Sequence, residues 1–127
     1  MYSILIKSES RFPINRKRIK VRVINLLKGQ GLNPETEISL AFIGRRKIRK
    51  LNRQFRHLDE VGAVLSFSQL EGQEKFIGSP GEKLILGDIV ICYPEAQRLA
   101  NQEEMLVDDE IDRLIEHGLG NLLKINF

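Results

Sequence analysis

The residues best suited to chemistry lie near the carboxyl end, where His117 and Asn121 stand four positions apart in DDEIDRLIEHGLGNLLKINF. Two histidines at this spacing commonly bind a metal, because positions i and i+4 bring both imidazoles to one side of a helix. Here the second position is Asn, which is a poor zinc ligand. We therefore favour His117 as a histidine that faces a cleft, with a general-base role open to it, over a working metal ligand.

The element that must position these side chains is a helix predicted over Asp108 to Phe127, capped by Asp108 or Asp109. His117 and Asn121 fall beside an apolar stripe, where a side chain is anchored by the core and still faces a cleft. Gly118 is expected to permit close packing, whereas Gly120 has no evident packing role. At about 100° per residue the stripe consists of Ile111, Leu114, Ile115, Gly118, Leu119 and Leu122.

The rest of the chain alternates strands and helices. The order predicts an α+β or α/β fold, of which we favour α+β, with a single domain over residues 1–127 and a small mixed four-stranded sheet flanked by helices. Gln69 to Lys83 is rich in glycine and polar residues and is predicted to be a loop. The predicted strands cover Tyr2 to Lys7, Glu37 to Ile43, Val64 to Phe67 and Leu84 to Cys92, and the earlier helices cover Asn15 (as cap) to Lys28, Arg45 to Phe55 and Pro94 to Glu103.

Composition indicates an ordinary globular protein, with 42% apolar and 29% charged residues. The single cysteine, Cys92, excludes an internal disulfide and fits a reducing compartment. Its place at the end of an apolar strand favours a buried core thiol. The apolar run Ile4 to Ile6 is too short for a signal peptide or a membrane span. We expect a cytoplasmic protein that does not associate with membranes.

Charge is distributed unevenly along the chain. Residues 1–56 hold 15 Lys and Arg against 3 Asp and Glu, whereas residues 57–127 hold 5 against 14. A basic half of this kind is typical of a surface that binds a polyanion. The alternative is a solvated helix surface that pairs with the acidic half, and both remain open at this point.

Three cations, Arg45, Arg46 and Lys47, begin the second predicted helix, where the helix dipole disfavours positive charge by roughly 0.3–1 kcal/mol per group. Gly44 stands where a capping Asp or Ser is expected. Folding alone does not favour this arrangement, so it indicates a phosphate-facing role. The alternative is that these are ordinary exposed basic residues.

Four blocks in order carry a resemblance to a known family: L-N-R-Q-F-R from Leu51, V-L-S-F from Val64, L-G-D-I-V-I-C from Leu86 and H-G-L from His117. Together they resemble the YbeY family, over the chain from about Glu37 to its end. The resemblance implies a zincin-like YbeY fold and a metal-dependent endoribonuclease specific for single-stranded RNA, active in ribosomal RNA maturation and ribosome quality control. It also implies three histidines that hold zinc in a cleft.

The family signature, H-G-x-L-H-L-x-G-x-D/H-H, places the three metal ligands at His117, Asn121 and Phe127 of this chain, so two of the three are replaced. Gly120 and Lys124 stand where the signature has Leu and Gly. Gly62 and Ala63 replace polar residues that usually precede V-L-S-F. Natural divergence and deliberate removal of the metal site would leave the same sequence.

Two other positions match the family: Arg56, its RNA-contacting arginine, and Ser66, its cleft serine. An ion pair to Asp59 or another acidic residue is the structural alternative for Arg56. The resemblance assigns catalysis to His117, Arg56 and Ser66, and RNA binding to Arg56 with Arg45, Arg46 and Lys47. His117 is then the remnant of the metal site, and zinc is expected to be absent or weakly bound.

These observations predict an RNA- or ribosome-associated protein whose partner is single-stranded or ribosomal RNA and whose catalysis is weak or lost. One alternative is an active metallo-endoribonuclease that uses a different metal or base. Another is a non-catalytic protein-interaction module, which is favoured if the cations of the basic half form ion pairs with the acidic half. The oligomeric state does not follow from the sequence.

Overall fold

The structure, a computed structural model, describes residues 1–69 and 84–127. The predicted order of strands and helices is confirmed, and the bounds agree within one residue for every element but the last. The loop predicted over Gln69 to Lys83 lies outside the described residues except for its first residue. In chain order the elements are β1 (Ser3–Ser8), α1 (Arg16–Gly29), β2 (Thr36–Ile43), α2 (Arg45–Phe55), β3 (Val64–Ser68), β4 (Leu84–Cys92), α3 (Tyr93–Gln102) and α4 (Val107–Leu123).

In the described part of the chain, four strands form one mixed sheet in the order β1-β2-β4-β3. β1, β2 and β4 are parallel, whereas β3 pairs antiparallel with β4 at one edge. The mixed sheet with flanking helices confirms the predicted α+β class. Strand β3 lies at the edge of the sheet and packs against α4.

The approach of β3 to β4 depends on Gly87. Its φ is +139°, and a Cβ at this position would lie 2.1 Å from the carbonyl oxygen of Phe67 on β3. Only glycine fits such a backbone. The register between β2 and β4 also shifts at this level, between Glu37 and Ile38. The glycine of the L-G-D run therefore holds β3 in the position that brings Ser66 to the cleft.

The main core lies between the sheet and helices α1, α3 and α4. The six residues of the predicted stripe on α4 are all buried, which confirms the helical placement made from their spacing. Burying an aliphatic side chain stabilises the fold by roughly 1.5–3 kcal/mol, so this stripe fixes α4 firmly on the sheet. The opposite face is covered in part by α2, which packs through the buried Ile48 against Leu65, Val90 and Cys92.

Helix α4 departs from the prediction at both ends. It begins at Val107 with Leu106 as its N-cap, so the predicted cap by Asp108 or Asp109 is wrong. Both carboxylates lie within the first turn, where negative charge interacts favourably with the helix dipole. The helix ends at Leu123 and not at Phe127, because Lys124 adopts a left-handed conformation with φ of +58°.

Helix α2 matches its predicted bounds, and its last residue, Phe55, lies largely outside the core. The Phe55 side chain is 55% exposed, and its ring meets Phe67 edge-on with centroids 5.2 Å apart. The reason is that the last turn of α2 borders an open groove, which Leu5, Leu51 and Phe67 also line. Among the described residues, no helix combines the length and apolar character needed to cross a membrane.

Ion pairs join α1 to α4. Arg18 contacts Asp109 at 2.7 Å and Asp112 at 2.8 Å, and Arg22 pairs with Glu116. Part of the basic half is therefore compensated by the acidic half, as the alternative interpretation of the charge pattern expected. The basic surface available to bind a polyanion is therefore smaller than the net charge of residues 1–56 alone would indicate.

Candidate functional site

His117 and Asn121 are exposed on α4, one turn apart, and both border two adjoining cavities. The first, which we call the Arg56 cavity, has a volume of about 320 Å³ and is lined by Arg56, Val64, Leu65, Ser66, Ser68, His117, Asn121 and Leu122. The second, the Phe127 cavity, has a volume of about 270 Å³ and is lined by Arg113, Glu116, His117, Gly120, Asn121, Ile125, Asn126 and Phe127. The three residues assigned to catalysis from the resemblance, His117, Arg56 and Ser66, thus meet in one cavity.

Arg56 reaches this cavity from the carboxyl end of α2. Its backbone N–H donates to the Asn52 carbonyl at 2.9 Å, and His57 then turns the chain with a φ of +56°. Within the described residues Arg56 makes no ion pair. The acid at Asp59, proposed as its alternative partner, instead pairs with Arg49 at 2.8 Å and Arg53 at 3.6 Å. Hydrogen bonds from Arg49 hold the pKa of Asp59 below its ordinary value.

Asn52 is a positioning residue that sequence reasoning missed. Its side chain is 1% exposed, and its Nδ2 donates to the Glu60 carbonyl at 3.0 Å. Its own backbone carbonyl accepts hydrogen bonds from Arg56 and Leu58. Asn52 therefore fixes both ends of the turn that carries Arg56. The signal in the sequence was an amide four positions after Ile48, on the inner face of a basic helix.

Ser66 links β3 to α4 next to His117. Its Oγ donates to the Gly118 carbonyl at 3.0 Å. A Cβ at Gly118 would lie 2.8 Å from Ile89 Cγ2 and 3.3 Å from Ser66 Oγ, so the predicted role of Gly118 in close packing is confirmed. Because its hydrogen is given to Gly118, the Ser66 hydroxyl is left with acceptor capacity toward the cavity. Ser66 therefore helps to fix the distance between β3 and the part of α4 that carries His117.

Gly120 also has a packing role, contrary to the sequence-based expectation. A Cβ at this position would lie 2.8 Å from the Ile125 carbonyl oxygen and 3.5 Å from the Phe127 ring. The chain after Leu123 turns back at Lys124, and the Ile125 N–H donates to the Gly120 carbonyl at 2.9 Å. The missing side chain at position 120 is thus what lets the segment after α4 lie against the helix and bring Phe127 beside His117.

A zinc centre of the expected kind does not fit the residues at this site. His117 is the one imidazole here, Asn121 offers a neutral amide and Phe127 offers no donor atom. The neighbouring carboxylate, Glu116, is held by Arg22. Across residues 1–69 and 84–127, no three His, Cys, Asp or Glu side chains are grouped closely enough to hold a metal ion. Catalytic zinc requires about three protein ligands and a water, so the donor set falls short by two.

The three cations that begin α2 lie at the far end of that helix from Arg56, roughly 16 Å away for eleven residues. None of them lines the Arg56 cavity. Arg45 pairs with Glu95 at 2.8 Å, and Lys47 lies 3.9 Å from Glu9, whereas Arg46 makes no ion pair within the described part of the chain. Burial alone would raise the pKa of Glu95, but the guanidinium groups of Arg45 and Arg98 hold it below its ordinary value.

Comparison with known proteins identifies the family. A family model described as "Endoribonuclease YbeY" matches residues 5–123. The chain belongs to the YbeY family. Among curated relatives named "Endoribonuclease YbeY", the protein of Anaeromyxobacter sp. is 37% identical over 121 residues, which cover 93% of this chain and 59% of the relative. That of Dehalococcoides mccartyi is 30% identical over 128 residues, with 95% of this chain and 74% of the relative covered.

The fold has a solved counterpart in TM1509 from Thermotoga maritima, a solution structure with a TM-score of 0.58 and 20% sequence identity. The similarity covers 94% of this chain and 71% of that protein, and it supports the fold alone. This chain therefore contains the YbeY fold but spans 59% of the length of the Anaeromyxobacter relative.

Three of the four positions that depart from the signature given above lie around one cavity. Gly120, Asn121 and Phe127 line the same cavity, and the Phe127 ring occupies the space beside Gly120. By contrast, Arg56 and Ser66, which match the family, lie on the other side of His117. The departures are thus concentrated in one cavity of the cleft.

Two further residues have structural roles. Asp88 accepts a hydrogen bond from the Ser39 hydroxyl across β2 and β4, so it has a structural role within the sheet. Cys92 is fully buried, as predicted, and burial raises the pKa of its thiol. Neither residue lines the Arg56 cavity or the Phe127 cavity.

Proposed function

We propose that this protein is a single-domain YbeY family member that binds single-stranded RNA, ribosomal RNA above all, in association with the ribosome, and whose endoribonuclease activity is weak or lost. Its relatives carry the name of an endoribonuclease, an enzyme class whose substrate is RNA. The observation that carries the proposal is the cleft itself. It combines Arg56, which makes no ion pair among the described residues, with a metal position reduced to His117.

Phosphate binding follows from the chemistry of Arg56. A guanidinium presents planar paired donors that match two phosphate oxygens. The helix that carries it, α2, holds six cations and no acidic residue. Arg46 and Lys50 lie one turn apart on the outside of this helix and make no ion pair within the described residues. A strand of RNA held at Arg56 therefore has further cations along α2 for its backbone.

Hydrolysis is the part of the family chemistry that this site supports poorly. Zinc in such a site lowers the pKa of a bound water and so supplies the nucleophile. His117 alone does not hold zinc firmly, because Asn121 and Phe127 add no suitable ligand. The residues present orient a phosphate and offer one imidazole beside it. Binding without efficient turnover is the outcome that this donor set favours.

A second candidate is slow cleavage with His117 as general base, by a route that uses another metal or none. The observation in its favour is that His117 shares the cavity with Arg56. A guanidinium beside the phosphate stabilises negative charge as it develops, which a lone base would lack. The route without a metal would resist chelators, and both routes would be lost in His117→Gln.

The test is RNA binding and cleavage by the protein and three single variants. Arg56→Gln is expected to weaken single-stranded RNA binding by about 10- to 150-fold. This range corresponds to the loss of one hydrogen bond to a charged group. The matched control, Lys20→Gln, removes one exposed charge from α1 and is expected to change affinity by less than about threefold. Equal affinities for Arg56→Gln and the parent would refute the proposed RNA site.

Cleavage is measured in the same experiment with a chelator and with added zinc. We expect little turnover in either condition. Zinc-stimulated cleavage that His117→Gln abolishes would establish the active metallo-endoribonuclease instead. Chelator-resistant cleavage with the same His117 dependence would establish the general-base alternative.

A further inference from the structure

The Phe127 cavity has the composition of a base-binding pocket more than that of a damaged metal site. Its wall combines an aromatic ring at Phe127, amides at Asn121 and Asn126, and the His117 imidazole. Each amide offers both a donor and an acceptor, as the edge of a nucleobase does. Sequence-specific recognition of single-stranded RNA commonly uses this combination, in which an aromatic side chain stacks on the base and polar groups contact its edge.

The charges around this cavity cancel locally. Glu116 pairs with Arg22, and Arg113 lies 3.4 Å from the buried Glu110. The cavity therefore suits an uncharged group. The adjoining Arg56 cavity has the opposite character, because Arg56 makes no ion pair within the described residues. Since His117 and Asn121 line both cavities, an anionic group and a neutral ring of one ligand can occupy them side by side.

Phe127 is held without being buried. Its ring packs beside Gly120, 3.5 Å from the position a Cβ would take there, and its side chain remains 44% exposed. The backbone hydrogen bond from Ile125 to Gly120 fixes the turn just before it. A partly exposed ring on a fixed turn can stack on a ligand with little loss of conformational freedom.

We propose that the Phe127 cavity binds one unstacked nucleobase of a single-stranded RNA, while the adjacent phosphate contacts Arg56. This inference rests on the proposed function, since it requires RNA at Arg56. The cavity volume of about 270 Å³ is below that of pockets for drug-sized ligands, which begin near 300 Å³, and suits a single flat ring system. Asn121 and Phe127, which replace two metal ligands of the family signature, thus recognise a base instead.

The experiment compares RNA affinity for Phe127→Ala, Phe127→Tyr and the control Phe55→Ala. Phe55 is also a half-exposed ring but lies on α2 beside a different groove. The probes are a single-stranded RNA of about ten nucleotides and a ribose-phosphate strand of the same length that lacks bases. Phe127→Ala is expected to weaken binding of the RNA by about 5- to 150-fold, which is the usual effect of removing one base–aromatic stack.

Phe127→Tyr should bind like the parent because it keeps the ring, and Phe55→Ala should also be unchanged. The strand without bases should bind the parent and Phe127→Ala equally. If Phe127→Ala behaves like Phe55→Ala while Arg56→Gln still weakens binding, the base pocket is refuted and the proposed function stands. If neither Phe127→Ala nor Arg56→Gln weakens binding, both are refuted. Thermal unfolding of each variant verifies that the fold is intact.

Discussion

The Arg56 cavity and the Phe127 cavity share His117 and Asn121, yet they differ in what the sequence has kept. The first retains the arginine and serine of the family, whereas the second contains three of its departures, Gly120, Asn121 and Phe127. Helix α4 lines both cavities. Arg56, which follows α2, and strand β3 complete the first, whereas the segment after α4 completes the second. In our proposal the Arg56 cavity is the phosphate side of the site and the Phe127 cavity is its metal side, so the two sides depend in part on different segments of the chain.

Helix α4 lines both cavities and supports both of them rigidly. The core stripe of this helix is buried throughout, and Ser66 binds it to β3 through the Gly118 carbonyl. Replacement of metal ligands on the exposed line of the helix leaves that support unchanged. The fold can therefore tolerate the change of chemistry that we propose at its edge.

The largest expected effect restores the metal side. The double substitution Asn121→His and Phe127→His adds two imidazoles to the cavity that His117 already lines. Structural zinc sites gain roughly 10–16 kcal/mol from about four ligands, so we expect zinc affinity to rise at least about a hundredfold. RNA cleavage should recover less, because Gly62 and Ala63 still differ from the family.

Calorimetric titration with zinc measures this effect. The control is Phe55→His with Asn101→His, which adds the same two imidazoles away from His117. A folded double variant that binds zinc no better than this control would show that positions 117, 121 and 127 do not converge.

The next effect tests the support common to both cavities. Gly118→Ala places a methyl group 2.8 Å from Ile89 Cγ2, in a core where Ile89 is fully buried. Overpacking of this kind costs about 1–3 kcal/mol of unfolding free energy. Gly29→Ala, where a Cβ meets nothing within 4 Å, should instead be neutral or stabilise by up to about 1 kcal/mol. Urea unfolding distinguishes the two, and equal effects would contradict the packing described for α4.

A smaller effect tests how the phosphate side is positioned. Asn52→Ala removes the hydrogen bond to the Glu60 carbonyl and should cost about 0.5–1.5 kcal/mol of stability. It should also weaken RNA binding by loosening the turn that carries Arg56. In a double-mutant cycle with Arg56→Gln, the two effects on RNA affinity should not add. Fully additive effects would contradict the positioning role of Asn52. Asn101→Ala is the neutral control.

The smallest effect tests how far the phosphate side extends along α2. Arg46→Gln with Lys50→Gln should lower the salt dependence of RNA binding by about 0.7 in log–log slope for each phosphate that these cations no longer neutralise. Lys17→Gln with Lys20→Gln removes the same charge from α1 and should leave the slope unchanged. Arg45→Gln should have little effect, since Arg45 is paired with Glu95. If both double variants show the same slope, the RNA contacts only the two cavities and does not extend along α2.

The sequence predicts the framework well because the framework is periodic. The stripe from Ile111 to Leu122 and the alternation of Ile38, Leu40 and Phe42 depend only on helix and strand geometry. The resemblance also drew attention to Arg56 and Ser66, which line one cavity with His117. These contacts are long-range, and the periodic pattern alone would not have predicted them.

The remaining features arise from tertiary contacts or from unusual backbone. Lys124 takes a left-handed conformation that usually favours Gly or Asn, so the return of Phe127 toward His117 had no local signal. The partner of Asn52 is a backbone carbonyl, which no side-chain pattern reveals. The ion pair between Arg22 and Glu116 joins residues 94 positions apart. Each feature depends on where distant segments meet.

The central claim is that the metal side of this cleft has lost its chemistry while the fold and the phosphate side remain. Elemental analysis of protein purified without added metal tests it most directly. We expect well under one equivalent of zinc per chain, because His117 has no second imidazole within reach. One tightly held equivalent of zinc that survives dialysis would contradict the claim.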